Sequence, residues 1–146
     1  MIAVLILTHG GLAPELLTSA RKIVARDLEN FVALALDWED GLDEGMSKLE
    51  PILESLSDYD GVLILTDIFG GTPTNVAARF RDPGRVEVVS GVNLPMVVRL
   101  GCLGVRSLPL DQLTTWIRDK GRSSICSSEA LPPVPATAST ISPCED

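Results

Sequence analysis

Short unbroken aliphatic runs alternate along this chain with longer stretches whose apolar positions recur every three or four residues. Ile2–Leu7 is the first such run, and an unbroken aliphatic run predicts a strand buried on both faces. Thr8-His9-Gly10-Gly11 interrupts it, and Pro14 suits the first turn of a helix. Leu16, Leu17, Ala20, Ile23 and Val24 then mark one helical face, ending near Arg26. Phe31–Leu36 predicts a second strand. Leu42, Met46, Leu49, Leu53 and Leu56 predict a second helix over Gly41–Leu56, with Pro51 expected to kink or break it. Gly61–Leu65 predicts a third strand, closed by Thr66-Asp67. A turn over Ile68–Pro73 follows, with Thr72 as N-cap and Pro73 at the first position of a helix through Arg81. Asp82-Pro83-Gly84 is a turn and Arg85–Ser90 a fourth strand. Gly91–Pro95 is a loop into a further helix, and Leu110–Lys120 a last short one.

Four alternations of strand and helix predict an α/β fold: an open, mainly parallel four-stranded sheet with helices on both faces. Ligands of such sheets sit outside the carboxyl ends of the strands. Chemistry is therefore expected at Thr8–Gly11, Asp37-Trp38, Asp67–Thr72 and Gly91–Asn93. At 146 residues the chain is one domain, expected over 1–122. From Ser123 the sequence turns Ser-, Pro-, Thr- and Ala-rich, with Pro132, Pro133, Pro135 and Pro143, and 123–146 is expected to be a disordered tail.

Charge removes one class of function. Twelve Lys and Arg against twenty Asp and Glu give a net charge of −8, the opposite of the cationic footprint that a nucleic-acid binder needs. With aromatic residues at 4%, the core must be aliphatic. Cys102, Cys126 and Cys144 show no C-x-x-C spacing and no disulfide scaffold. The first apolar run is too short to cross a membrane and lacks the flanks of a signal peptide, so a cytoplasmic protein is expected. No Walker A, G-x-G-x-x-G or G-x-S-x-G motif occurs, and one histidine with scattered carboxylates makes no metal site. No metal and no cofactor are expected.

His9 is the single histidine. Taken alone it reads as a capping or loop residue, Asp67 as a turn or N-cap aspartate, and each Gly-Gly pair as turn chemistry. Taken together they read otherwise. If strands one and three are neighbours, His9 and Asp67 flank one crevice. A carboxylate bound to one imidazole nitrogen fixes the tautomer and leaves the other nitrogen's lone pair free, as a nucleophile requires. Gly10-Gly11 and Gly70-Gly71-Thr72 lie at the starts of two helices, where backbone N–H groups hold anions. The anion that suits a nucleophilic histidine is a phosphoryl group.

Thr8-His9-Gly10 after the first strand, Thr66–Asn75 (TDIFGGTPTN) and Ser90–Met96 (SGVNLPM) resemble the IIA domain of the mannose-type bacterial sugar phosphotransferase system, in order and over Met1 to about Arg122. The resemblance implies a sheet of order 2-1-3-4, phosphorylation of His9 by the phosphocarrier HPr, orientation of His9 by Asp67, and a hydroxyl near the phosphoryl group at Thr72. It implies transfer onward to a IIB protein, expected here to be a separate chain, a membrane role only through the permease complex, and a homodimer formed through a C-terminal segment. Two other readings of the same histidine stay open: a regulatory phosphocarrier that senses phosphoenolpyruvate supply without transport, and the phosphoryl-donor subunit of a dihydroxyacetone kinase. Leu100–Gly104 departs from the family by placing two glycines where relatives continue a helix. Ile68, Phe69, Leu94, Pro95 and Met96 follow strand ends and are expected to form an apolar docking surface with an acidic rim around His9; the competing reading makes Phe69 and Met96 core residues.

Overall fold

The computed structural model describes residues 1–103, 108–130 and 144. The elements are β1 (Ile2–His9), α1 (Leu12–Val24), β2 (Phe31–Leu36), α2 (Leu42–Ser55), β3 (Gly61–Thr66), α3 (Thr72–Arg79), β4 (Val86–Ser90), α4 (Leu94–Leu103) and α5 (Leu110–Ser123), followed by a 3₁₀ turn at Ser128–Ala130. The four strands form one sheet in the order β2-β1-β3-β4, parallel throughout.

The packing of β1 explains why Ile2–Leu7 is apolar at every position. Ile2, Val4 and Ile6 face a core closed by α1, α4 and α5, with Leu17, Val97 and Ile117. Ala3, Leu5 and Leu7 face the opposite core, closed by α2 and α3, with Leu49 and Val76. Both faces of a parallel sheet are covered, so alternation has no solvent side to mark. Each fully buried Leu or Ile contributes ~1.5–3 kcal/mol, which outweighs exposed ion pairs such as Arg118–Asp119, at 2.9 Å, worth at most about 1 kcal/mol each.

Element ends differ from the sequence reading for local reasons. β1 runs on to His9, because it still pairs with β2 at His9↔Leu36. α1 starts at Leu12, where Thr8 Oγ1 accepts the Ala13 N–H at 2.8 Å, and stops at Val24, where Ala25 turns left-handed at φ 54°. α2 continues through Pro51; Pro51 and Ser47 are both exposed, so the missing ladder bond falls on the solvent side. α3 is capped by Gly71 and not by Thr72, which is its first residue; no side chain bonds the cap. α3 ends at Arg79, as the Phe80 N–H turns to the Ala77 carbonyl at 3.0 Å. Leu94 and Pro95 belong to α4's first turn and not to a loop, because Asn93 Oδ1 accepts the Met96 N–H at 3.0 Å as an N-cap. Asn93 Nδ2 also reaches the Gly121 carbonyl and Ser124 Oγ, each at 3.2 Å.

Gly101 does not end α4. A Cβ there would lie 3.1 Å from Leu28 Cδ2 and 3.3 Å from Val24 Cγ2, so the missing side chain lets α4 lie close on the end of α1. Gly104 falls outside the described residues. α5 extends to Ser123, one residue beyond the expected domain end; 131–143 and 145–146, most of the expected tail, lie outside the described residues. Cys102 is bonded to Cys144 across 42 residues, a pairing that spacing alone did not reveal, while Cys126 is free and exposed. Among the described residues, no helix is long and apolar enough to cross a membrane.

Candidate functional site

The pairing of β1 with β3 sets Leu7 beside Thr66, and the residues leaving the two strands meet at the sheet's carboxyl edge. His9 and Asp67, 58 positions apart, make two bonds there. Asp67 Oδ2 accepts the His9 backbone N–H at 2.9 Å and lies 2.8 Å from His9 Nδ1. Asp67 Oδ1 accepts the Ile68 N–H at 2.9 Å. Burial pushes the Asp67 carboxyl up, but the bonds from the His9 amide, the His9 imidazole and the Ile68 amide outweigh it, and the group sits below its ordinary value. An ionised carboxylate only accepts hydrogen bonds, so Nδ1 carries the proton and Nε2 the lone pair.

Three further residues shape the space around the imidazole. Trp38 stacks on it, ring centroids 5.2 Å apart and planes 15° apart. Gly71 leaves its other side open: a Cβ there would come 2.9 Å from His9 Cε1 and 2.9 Å from Ile68 Cγ2. Gly10, at φ 51°, is left-handed backbone that favours glycine, and it passes beneath the Trp38 indole. Trp38 lies in one of the expected strand-end segments, yet its stacking has no signal in a linear pattern.

The two glycine pairs divide their work. The Gly10 N–H donates to the Leu36 carbonyl at 2.7 Å and the Gly71 N–H to the Ile68 carbonyl at 3.2 Å, so both of these amides already have acceptors. Among the described residues, the amides of Gly11, Gly70 and Thr72 have no acceptor. Gly70 holds φ 84°, and its carbonyl accepts from Asn75 Nδ2 at 3.2 Å. The Thr72 side chain is half-buried and, with Gly71 as the cap, is free of capping duty.

Buried hydroxyls brace this loop, and the sequence reading passed over them. Thr74 Oγ1 donates to the Ile68 carbonyl at 2.6 Å and lies 2.7 Å from Thr66 Oγ1 and 3.3 Å from Ser90 Oγ. Their signal was a hydroxyl residue closing β3 and β4, at Thr66 and Ser90.

The expected docking residues separate. Phe69 is 88% exposed, and Ile68 is also exposed; Pro95 is exposed and Leu94 half-buried. Met96 is only 2% exposed, with its Sδ where a Gly121 side chain would stand. It belongs to the core, because α4 begins two residues earlier than expected and turns this position inward. Acidic residues do flank Trp38: Lys48 Nζ holds Asp37 at 2.8 Å and Asp40 at 2.5 Å. A cavity of about 590 Å³ lies beside the site, lined by Phe69, Thr74 and Ser90 and reaching Arg118 and Arg122, but neither His9 nor Asp67 lines it.

A family model described as the PTS system fructose IIA component matches residues 3–107. The mannose-specific EIIAB component of the phosphotransferase system of Escherichia coli strain K12 is 32% identical over 143 residues, covering 94% of this chain but 44% of its own length; the chain thus spans under half of that relative. The fructose-specific EIIA component of Bacillus subtilis is 34% identical over 101 residues, 68% of each chain. Among solved structures, the mannose/sorbose-specific IIA subunit from Enterococcus faecalis superposes with a TM-score of 0.77 at 29% identity, covering 90% of this chain and 96% of that one. A phosphotransferase system component EIIA from Streptococcus agalactiae, 22% identical with a TM-score of 0.77 over 90% of this chain and all of its own, shares the fold.

Proposed function

This chain belongs to the mannose/fructose-type IIA family of the sugar phosphotransferase system, and from that premise we propose that it is a phosphohistidine carrier acting through His9. The observation that carries the reading is the 2.8 Å contact between His9 Nδ1 and Asp67 Oδ2. It keeps the proton on Nδ1 and leaves Nε2 as the nucleophile.

The Nε2 lone pair attacks the phosphorus of a phosphohistidine on the donor. A new P–N bond forms, the donor's P–N bond breaks, and its electron pair returns to the donor nitrogen. The proton stays on Nδ1, so the imidazole of His9 becomes cationic, and the Asp67 carboxylate stabilises that charge. The amides of Gly11, Gly70 and Thr72, with the Thr72 hydroxyl, receive the phosphoryl oxygens at the two helix starts. Onward transfer reverses these roles: an acceptor nucleophile attacks phosphorus, and Nε2 leaves with its electron pair.

The donor is HPr, charged by phosphoenolpyruvate through enzyme I, and the acceptor is a IIB protein that serves a sugar permease. The carrier works in the cytoplasm as a homodimer and meets the membrane only through that permease complex. The test is incubation with phosphoenolpyruvate, enzyme I and HPr, followed by mass spectrometry. One acid-labile, base-stable phosphoryl group is expected on His9, and none on a His9→Ala variant. Wild-type protein that stays unlabelled beside active HPr overturns the reading.

A further inference from the structure

The imidazole of His9 is gripped at one edge only. Both bonds from His9 to Asp67 end on the same oxygen, Oδ2, and a ring held at Nδ1 alone can still pivot about that contact. Gly71, without a side chain, leaves room beside Cε1 and offers the ring no polar hold. The flat surface that stops the pivot is Trp38, stacked 5.2 Å away with the ring planes within 15°.

Trp38 is 76% exposed, so apolar burial is not what holds it there. Its loop is braced by hydrogen bonds. The Asp40 N–H meets the Asp37 carbonyl at 3.0 Å, the Asp37 N–H meets Asp40 Oδ2 at 2.8 Å, and Lys48 clasps both carboxylates. Gly10 supplies the floor, since a side chain there would come 3.3 Å from the indole Nε1. A tight, cross-braced turn thus presents an aromatic face to the one histidine in the chain.

We propose that Trp38 is a positioning residue for His9, fixing the imidazole plane against rotation and sharing, through its face, the positive charge that the ring gains on phosphorylation. The inference rests on the reading that His9 accepts a phosphoryl group. When Nε2 uses its lone pair to form the P–N bond and Nδ1 keeps its proton, the ring becomes a planar cation. The negative face of an indole attracts such a cation, and the attraction grows when water is excluded. Asp67 then meets the charge at the ring's edge and Trp38 above its plane. A docked partner that covers the exposed indole strengthens the second contact at the moment of transfer.

The test uses the full chain and phosphoramidate, a small phosphoryl donor that needs no docking surface. Trp38→Ala is expected to slow His9 labelling about three- to tenfold, with Trp38→Phe restoring most of the rate. Because His9 is the single histidine, its ring protons give one set of NMR signals. These are expected upfield in the wild type and displaced downfield in Trp38→Ala, with the melting temperature unchanged. Wild-type labelling rates in Trp38→Ala, unmoved ring signals, or a Phe variant no faster than the Ala variant would each overturn the proposal. Labelling by phosphoramidate but not by phospho-HPr overturns the HPr-fed carrier reading alone, and the relative rates of the Trp38 variants still decide this one.

Discussion

At the scale of single residues, Asp67 is the side chain on which the proposed transfer rests, through its bonds to the His9 amide and imidazole. Asp67→Asn keeps the shape but removes the charge that faces the imidazole. We expect it to fold and to take phosphoryl from HPr about 10–100-fold more slowly, read by quench-flow labelling. The bonds that stabilise the carboxylate also tie it to pH. Its value in the folded protein lies below that of an unfolded aspartate, about 3.9, so its contribution to stability is complete above that value and is lost as pH falls through the folded one. Wild type and Asp67→Asn should accordingly differ most in melting temperature near neutral pH and converge in acid. Gly71→Ala offers a separate check. Its Cβ would press on His9 Cε1 and Ile68 Cγ2, so labelling should fall while melting shifts little; Gly70→Ala, with open space but φ 84°, should cost about 1 kcal/mol of stability and less of the labelling rate. His9 and Asp67 were legible in the sequence because both sit where a strand ends. The stacking of Trp38 and the bracing by Thr74 were not, because these contacts join loops that the linear pattern does not pair.

At the scale of elements, glycines decide how closely helices pack. Gly45 in α2 faces Val76, and a Cβ there would stand 2.6 Å from Val76 Cγ2, a stiff, fully buried side chain. Alanine gains about 1 kcal/mol of helix propensity but overpacks a filled core at about 1–3 kcal/mol. Gly45→Ala should therefore unfold at lower denaturant concentration, by up to about 2 kcal/mol, whereas Gly101→Ala, which meets flexible Leu28 at 3.1 Å, should stay within about 1 kcal/mol of wild type. The central strands were readable because a strand covered on both faces, as Ile2–Leu7 and Gly61–Leu65 are, carries an unbroken apolar run. Helix starts were less so. Thr72 has the chemistry of an N-cap, but Gly71 holds the extended cap backbone, φ −75° and ψ 167°, and Thr72 is already the first helical residue. Met96 was placed on the surface by its distance from β4, and Asn93 capping turns it into the core.

At the scale of the whole molecule, the chain carries an excess of eight negative charges and exposes a small apolar group at Ile68 and Phe69. Transfer from phospho-HPr should slow as salt rises, since an acidic carrier attracts a basic partner over a distance that salt shortens. Phe69→Ser should raise the KM for phospho-HPr with the fold intact. Stopped-flow transfer at two ionic strengths checks both; salt-independent rates together with wild-type kinetics in Phe69→Ser would remove the docking surface. The sheet order was legible through the family likeness and not through the hydrophobic pattern, which shows that strands exist but not which are neighbours. That order is what joins His9 to Asp67 across 58 residues. Neither a β1–α1–β2 fragment nor a β3–α3–β4 fragment contains both halves of the pair, and the contact closes only when a long stretch of chain has come together. The pairing that the proposed transfer needs is therefore a property of completed topology, and a nascent or misfolded chain carries the histidine without its carboxylate partner.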